Sequence, residues 1–259
     1  MTDITGRDVV KQQYATPQNL NLRASLHEKY SVNRQGFGLW IFSRYAFKPG
    51  DRILELGGGT GSIWAGRLDA LPEGCTLLLT DLSPGMLDTA RAALGERPNL
   101  EYGIADIQSI PCPDVAFDAV IANMMLYHVP DLDRGLSEVR RVLRLGGTFY
   151  CATYGERGII DFLAGLLGEY GVRDALNRRF TRQNGEGILM KHFDDVRWDD
   201  YADALEVTDV EDVADYLYSL TGMADLDPAM RPDIINRLRG AMRGGVLRIP
   251  KEYGMFICQ

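Results

Sequence analysis

The sequence predicts an α/β protein with a mainly parallel sheet, and two observations support this fold class. Between residues 51 and 153, short apolar runs alternate with segments of helical periodicity. Helices between successive strands are the crossovers that a parallel sheet requires. A glycine-rich turn also follows the first apolar run directly. The predicted strands are Arg52–Leu56, Thr76–Thr80, Leu100–Ile104, Phe117–Ala122 and Thr148–Thr153.

The helices between these strands carry recognisable end signals. Ser83 and Pro84 are typical of an N-cap followed by the first helical residue. Gly146 and Gly147 follow the last periodic residue of their helix and predict its C-cap. The predicted helices are around Ile63–Ala70, Pro84–Ala93 and Leu132–Leu143.

The regions on either side of this core are predicted to be mostly helical. The N-terminal segments Leu20–Tyr30 and Gly36–Tyr45 have apolar residues at helical spacing. We therefore expect a helical lid at 1–47, the α/β core at 48–153, a helical cap insert at 154–190, and completion of the sheet at 191–259. Later helices are predicted at Ile159–Tyr170, from the capping box Thr208–Glu211 to Leu220, and at Asp233–Arg243, with strands at Val196–Ala202 and Tyr253–Cys258.

Composition and charge exclude several classes of protein. The 259 residues carry 28 Lys and Arg against 36 Asp and Glu, a net charge of −8, which disfavours a nucleic-acid partner. No apolar run is long enough for a transmembrane helix or a signal peptide, so we expect no membrane partner. The 4 cysteines lie far apart and the 3 histidines lack zinc-ligand spacing, which predicts no metal site. We expect reduced thiols, a cytoplasmic location, and a monomer or homodimer.

The glycine-rich turn after the first strand is the strongest functional signal. Glu55 precedes Gly57, Gly59 and Gly61 at alternate positions. A dinucleotide-binding fingerprint has its third glycine one residue later, where this chain has Ser62. An acid at this place repels a pyrophosphate and suits a cationic ligand. An NAD(P)-dependent oxidoreductase is therefore disfavoured but stays open as an alternative.

This segment resembles motif I, E/D-x-G-x-G-x-G, of the class I S-adenosylmethionine (SAM)-dependent methyltransferases. The resemblance covers residues 51–153. Within this range, the sequence is similar to the small-molecule group of the family, which includes methyltransferases of quinone biosynthesis. It implies a Rossmann-like fold with strand order 3-2-1-4-5-7-6 and an antiparallel last strand. It also implies in-line methyl transfer from SAM to a small-molecule acceptor, with release of S-adenosylhomocysteine.

The second strand ends in a residue that matches the cofactor-binding pattern of this family. Asp81 lies twenty residues after Gly61. A carboxylate at this place accepts both ribose hydroxyls, as the matching acid does in the family. The resemblance places Leu82 and Met86 at positions that flank the adenine.

Residues at the ends of the third and fourth predicted strands also match the cofactor-binding pattern of the family. Asp106 follows the third strand and resembles the acid that accepts a hydrogen bond from the adenine amino group, with Ile107 supplying the adjacent backbone amide. Asn123 ends the fourth strand, where its carbonyl or side chain can meet the methionyl ammonium. The chain departs from the family at Leu145, where proline is usual, and at Gly58, where cysteine is common.

The candidates for catalysis and acceptor binding carry a weaker signal. His128 follows the fourth strand and is the first candidate for a general base, and Tyr127 is a candidate for orienting the acceptor. Packing roles are an alternative for both residues. His192, in the insert, is a weaker site candidate. The candidates in the N-terminal lid are Tyr14, His27 and Tyr30.

Two other functions share the cofactor motifs and stay open. One is a non-catalytic SAM-binding module or the partner subunit of an active enzyme. The other is an RNA or protein methyltransferase, which the acidic body and the absence of an N/D-P-P-Y/F motif at residues 123–126 disfavour. The sequence leaves open which acceptor is used and whether oxygen, nitrogen, sulfur or carbon is methylated.

Overall fold

The computed structural model describes residues 25–220 and 226–259. Its strands are β1 (Arg52–Leu56), β2 (Thr76–Asp81), β3 (Leu100–Ile104), β4 (Phe117–Ile121), β5 (Leu143–Tyr154), β6 (Val196–Val207) and β7 (Leu247–Cys258). They form a seven-stranded sheet in the order β3-β2-β1-β4-β5-β7-β6. At the ends of β6 and β7, Asp195 N–H donates to Gln259 O and Gln259 N–H donates to Asp195 O, the reciprocal pattern of antiparallel strands. The predicted fold class and strand order are confirmed.

The strand β1 occupies the centre of the parallel part of the sheet. It pairs in parallel with β2 and β4, and Glu55 is in register with Leu79 on one side and Ile121 on the other. Residues 53–56 of β1 are all buried, as in a strand covered on both faces. Because parallel strands end at one edge of a sheet, the residues that follow β1, β2, β3 and β4 share the edge where ligands bind in open α/β folds.

Most helices of the described residues lie where the sequence predicts them. Predicted helices at residues 84–93, 132–143, 159–170 and 233–243 are confirmed to within a few residues, and residues 25–30 are helical too. Ser83 is extended (φ −97°, ψ 116°) and Pro84 is the first helical residue that follows it. The helices are α1 (Phe37–Arg44), α2 (Pro84–Leu94), α3 (Leu132–Val142), α4 (Ile159–Leu167), α5 (Arg182–Leu189), α6 (Val210–Tyr218) and α7 (Arg231–Ala241).

The helix predicted at Ile63–Ala70 is wrong for most of its length. Residues 62–67 form successive turns, and only Leu68–Ala70 is helical, as a short 3-10 segment. Trp64 N–H donates to Gly61 O and Arg67 N–H donates to Trp64 O, both at 2.9 Å, which is three-residue rather than four-residue spacing. Gly66 has φ +70°, and this left-handed residue interrupts an α-helix.

Two predicted helix ends are also wrong. Gly146 and Gly147 do not cap α3, because the helix ends at Val142 and Leu143 already pairs with Phe117 as the first residue of β5. The capping box at Thr208 is displaced by one residue. Asp209 is the N-cap of α6, and its carboxylate accepts from Glu211 N–H at 3.0 Å. Aspartate is a stronger N-cap than threonine, so the helix begins one position later.

The described residues pack around two hydrophobic cores, one in each of two compact units. The first unit contains residues 25–36, 155–178, 201–220 and 226–253, and the second contains residues 37–154, 179–200 and 254–259. The second unit holds the parallel part of the sheet and therefore the predicted cofactor site. Within the described residues, no helix combines the length and apolarity needed to cross a membrane. The first core includes Leu163, Leu205, Val213, Leu217 and Leu238, and the second includes Leu54, Val120, Leu136, Phe149 and Phe256.

Candidate functional site

The glycine-rich loop after β1 is held in a conformation that favours glycine. Gly57, Gly59 and Gly61 have φ angles of +68°, +56° and +72°. A Cβ added at Gly57 would lie 3.0 Å from the Met125 side chain, so the loop after β4 closes one side of the turn. A Cβ added at Gly59 would meet no described atom within 4 Å. The backbone at Gly59 therefore faces open space, where a ligand can approach it closely.

Asp81, the last residue of β2, joins this loop to the start of α2. Its Oδ2 accepts from Gly59 N–H at 2.9 Å, and its Oδ1 accepts from Ser83 N–H at 2.8 Å. The residue is half-buried. Each carboxylate oxygen has a further lone pair, so Asp81 can accept two hydroxyl hydrogen bonds while it keeps both backbone contacts.

Glu55 lies behind the loop on β1, with only 2% of its surface exposed. Its Oε2 accepts from Trp64 Nε1 at 2.5 Å. The pKa of Glu55 is raised to about 7, chiefly by burial; the Trp64 hydrogen bond opposes this rise, and the nearby negative charge of Asp81 adds to it. A carboxyl with this pKa is partly protonated at neutral pH, and a nearby cation would favour its ionised form.

The sequence analysis missed the aromatic residues that surround Glu55. Trp64 is fully buried and stacks on Tyr45, with ring centroids 6.0 Å apart and planes at 19°. Phe47 stacks on the other rings, 6.4 Å from Trp64 and 5.0 Å from Tyr45. The one available signal was the tryptophan itself, which stands where a third glycine would fall if a dinucleotide fingerprint were counted from Gly59.

The side chain of Asn123 is occupied within the protein. Its Nδ2 donates to the Tyr45 hydroxyl at 2.7 Å, and its Oδ1 accepts from Ala152 N–H on β5 at 3.2 Å. The next residue, Met124, has φ +53°, an uncommon conformation for a residue with a side chain. Asn123 therefore braces the end of β4 by joining it to Tyr45 and β5.

The residues expected around an adenine follow β2 and β3. Asp106 forms a tight turn in which its Oδ1 accepts from Gln108 N–H at 2.9 Å and from the Gln108 side chain at 3.2 Å. Ile107 is buried, whereas Leu82 and Met86 are half-buried at the start of α2. The edge of the sheet beside β2 and β3 thus presents apolar side chains next to a carboxylate.

His128 and Tyr127 lie in a short 3-10 segment, Leu126–His128, beyond β4. The Tyr127 ring is buried, with its centroid 4.5 Å from the His128 ring and 4.5 Å from the Tyr154 ring. Burial lowers the pKa of His128 to about 4, so the imidazole is neutral at physiological pH. A lower pKa also makes it a weaker general base than an ordinary histidine.

Four candidate residues remain. Tyr14 is outside the described residues. The Tyr30 hydroxyl donates to Asp212 at 2.5 Å and fixes residues 25–30 to α6 within the first unit. His27 also belongs to the first unit. His192, in the second unit, has its Nε2 2.9 Å from Asp133 at the start of α3.

Comparison with known proteins shows what the core of the chain is similar to. Residues 54–151, which include the end of β1, the glycine loop, Asp81, Asp106 and His128, match the methyltransferase domain family. This part of the chain is therefore similar in sequence to a methyltransferase domain. The chain is also 33% identical, over 150 residues, to a ubiquinone/menaquinone biosynthesis C-methyltransferase, UbiE, of Xanthomonas campestris. That match covers 53% of this chain and 59% of the relative, and the chain spans about half the length of the curated relatives it matches.

Solved structures share the fold of this chain at low sequence identity. Phosphoethanolamine N-methyltransferase 2 of Haemonchus contortus, solved in complex with SAM, has a TM-score of 0.61 at 18% identity. The match covers 97% of this chain and 59% of that chain. The (4+2)-cyclase SpnF has a TM-score of 0.52 at 18% identity, with 95% of each chain covered. Because one fold serves both proteins, the site must decide the chemistry of this chain.

The geometry of the glycine-rich loop disfavours a dinucleotide. A pyrophosphate binds at the N-terminus of the helix that follows the glycine turn. Here residues 62–67 form turns instead of that helix, and the buried carboxyl of Glu55 lies behind the loop. The absence of a helix removes the positive end of a helix dipole, which a pyrophosphate needs. The carboxyl of Glu55 favours a ligand that carries positive charge.

Proposed function

We propose that this methyltransferase domain transfers a methyl group from SAM to a small-molecule acceptor and releases S-adenosylhomocysteine. The observation that supports it most directly is the contact between Asp81 and Gly59. It places a carboxylate with spare lone pairs beside a backbone turn that faces open space. The names of the relatives agree with this function, since one is a C-methyltransferase and another was solved with SAM bound.

The residues present fit SAM in both shape and charge. Asp81 accepts the ribose hydroxyls, and Glu55 supplies negative charge near the loop for the cationic part of the ligand. Leu82 and Met86 form apolar surface for the adenine, Ile107 supplies its backbone amide, and Asp106 accepts from the adenine amino group. The proposed cofactor-binding set is Glu55, Gly57, Gly59, Gly61, Asp81, Leu82, Met86, Asp106, Ile107 and Asn123.

SAM supplies an activated methyl group on its sulfonium when it is bound. The protein then has to hold the acceptor in line and exclude water, which can lower the barrier by roughly 7–11 kcal/mol. Tyr127 and His128 are the proposed residues beside the acceptor. His128 is neutral, so it can hydrogen-bond to an acceptor group without repelling a cationic methyl donor.

The function is tested by following the methyl group. The full chain is incubated with SAM labelled in its methyl group and with a panel of phenols, enols, thiols and amines. We expect labelled product and S-adenosylhomocysteine in equal amounts with at least one acceptor class. SAM that binds tightly but yields no labelled product with any class would instead favour a non-catalytic SAM-binding module.

The buried carboxyl of Glu55 predicts that SAM binding depends on pH. The pKa of Glu55 is about 7, so lowering the pH protonates the carboxyl and removes the charge that attracts SAM. We expect SAM affinity to fall up to about tenfold per pH unit below about pH 7. Glu55→Gln should bind SAM about tenfold more weakly at about pH 8 and show little change with pH. Calorimetric titration at several pH values measures both effects.

The same substitution has a second, opposite consequence for stability. The pKa of folded Glu55 lies above the ordinary value of 4.5, so the free energy of unfolding falls as pH rises from 4.5 to about 7. Glu55→Gln should remove that fall and be more stable than the natural chain above about pH 7. Glu101→Gln, an exposed position on β3, is the control. A Glu55→Gln variant with the natural pH dependence of both quantities would contradict this role.

A further inference from the structure

Gln108 links the carboxylate that is proposed to bind adenine to the start of α3. Its backbone N–H donates to Asp106 Oδ1 at 2.9 Å, and its side-chain Nε2 donates to the same oxygen at 3.2 Å. At the other end of the amide, Gln108 Oε1 accepts from Asp131 N–H at 3.1 Å. One side chain thus contacts both the turn that follows β3 and the N-cap residue of α3.

The side-chain amide of Gln108 suits both of these contacts. A glutamine presents a donor nitrogen and an acceptor oxygen, and here each faces a partner of the opposite kind. Because Asp131 fixes the oxygen end of the amide, the nitrogen end holds one oxygen of Asp106 and orients its carboxylate. A glutamate of the same shape would keep the contact to Asp131 but would place a negative charge against Asp106.

The helix α3 also holds the backbone around Gln108. Arg134 Nε donates to Gln108 O at 2.8 Å, and Arg134 N–H donates to Asp131 Oδ1 at 3.0 Å. Two residues after Gln108, Ile110 N–H donates to the Glu138 carboxylate at 2.9 Å. The turn after β3 is therefore fixed to a packed helix, so its carboxylate is oriented before a ligand arrives, which lowers the cost of binding.

We propose that Gln108 is a positioning residue that makes the cofactor site select a purine with a 6-amino group. An oriented carboxylate accepts a hydrogen bond from this amino group, whereas a purine without it leaves the carboxylate facing a C–H group. In this role Gln108 acts through Asp106 and not through a contact of its own with the ligand. The inference rests on the proposed function, since it takes Asp106 to face the adenine of SAM.

The test compares two ligands that differ only in the 6-amino group. The full chain is titrated by calorimetry with S-adenosylhomocysteine and with its analogue in which hydrogen replaces that group. We expect the natural chain to bind S-adenosylhomocysteine about tenfold more tightly or better, as for a hydrogen bond to a charged group. Gln108→Glu should bring the two affinities within about threefold of each other, because the added charge displaces the Asp106 carboxylate.

Further variants separate positioning from structural support. Ser109→Ala changes an exposed neighbour and keeps the contact from its N–H to Asp106 O at 2.9 Å, so it should leave the preference unchanged. In an Asp106→Ala background, Gln108→Glu should affect neither ligand, because the carboxylate that it repels is absent. Gln108→Met removes the donor without adding charge. It should also lower the preference, and it decides the matter if thermal melting shows that Gln108→Glu is unfolded.

The ratio of the two affinities distinguishes the possible results. A purely structural role of Gln108 would weaken both ligands by the same factor, and an unchanged ratio would overturn the inference while the proposed function stands. An equal effect of Gln108→Glu with and without the Asp106 carboxylate would overturn it in the same way. Absence of S-adenosylhomocysteine binding to the natural chain would overturn the proposed function and this inference with it.

Discussion

Replacing Asp203 with alanine is expected to lower the free energy of unfolding by about 3–5 kcal/mol. The substitution leaves the Lys251 ammonium in a site where its side chain is 3% exposed, without the carboxylate that balances its charge. It also removes the acceptor for Asn33 N–H, Ala204 N–H and the Ser31 hydroxyl. Chemical denaturation measured near neutral pH gives the loss directly.

Strands β6 and β7, which carry Asp203 and Lys251, also offer a matched control. Glu206 on β6 and Arg248 on β7 form an ion pair at 2.6 Å, but their side chains are 49% and 67% exposed. Exposed pairs contribute about 0–1 kcal/mol, so Glu206→Ala should change the stability little. Equal effects from Asp203→Ala and Glu206→Ala would contradict the view that burial makes the first pair important.

Replacing Asp81 with alanine is expected to weaken binding of S-adenosylhomocysteine by about 1–3 kcal/mol. The variant loses the carboxylate proposed to accept the ribose hydroxyls. It also loses the acceptor that holds Gly59 N–H and Ser83 N–H at 2.9 Å and 2.8 Å. Asp81→Asn keeps the size of the side chain and one oxygen, so its loss of affinity should be smaller.

Asp88→Ala is the control for this prediction. Asp88 is exposed on α2, seven positions after Asp81, and carries the same charge. If long-range charge were responsible, both alanine variants would weaken binding similarly. Unchanged affinity in Asp81→Ala, with a normal melting temperature, would remove Asp81 from the proposed site.

The strand pattern could be predicted because each strand is marked locally. The five core strands are short apolar runs, and their helical spacers indicate parallel pairing. Asp81, Asp106 and Asn123 could be placed at one edge because each follows such a run within two residues. The strand order came from the family resemblance, since local patterns do not specify which non-consecutive strands pair.

The contacts within the site could not be predicted, because they join residues that are distant in the sequence. Trp64 reaches Glu55 only because residues 62–67 turn instead of forming a helix. Tyr45 meets Asn123 across 78 positions of the chain. The raised pKa of Glu55 follows from its burial, which the sequence pattern alone does not measure.

Calorimetric titration of the purified chain with S-adenosylhomocysteine, with NADH titrated in parallel, tests the central claim most directly. Mass spectrometry first establishes that no ligand has co-purified. The geometry of Glu55, the glycine loop and Asp81 predicts that S-adenosylhomocysteine binds with a Kd of about 1 μM or lower, which is a binding free energy of about −8 kcal/mol or more negative. It predicts no heat of binding with NADH. Binding of NADH without S-adenosylhomocysteine would contradict the assignment of every residue in the cofactor site.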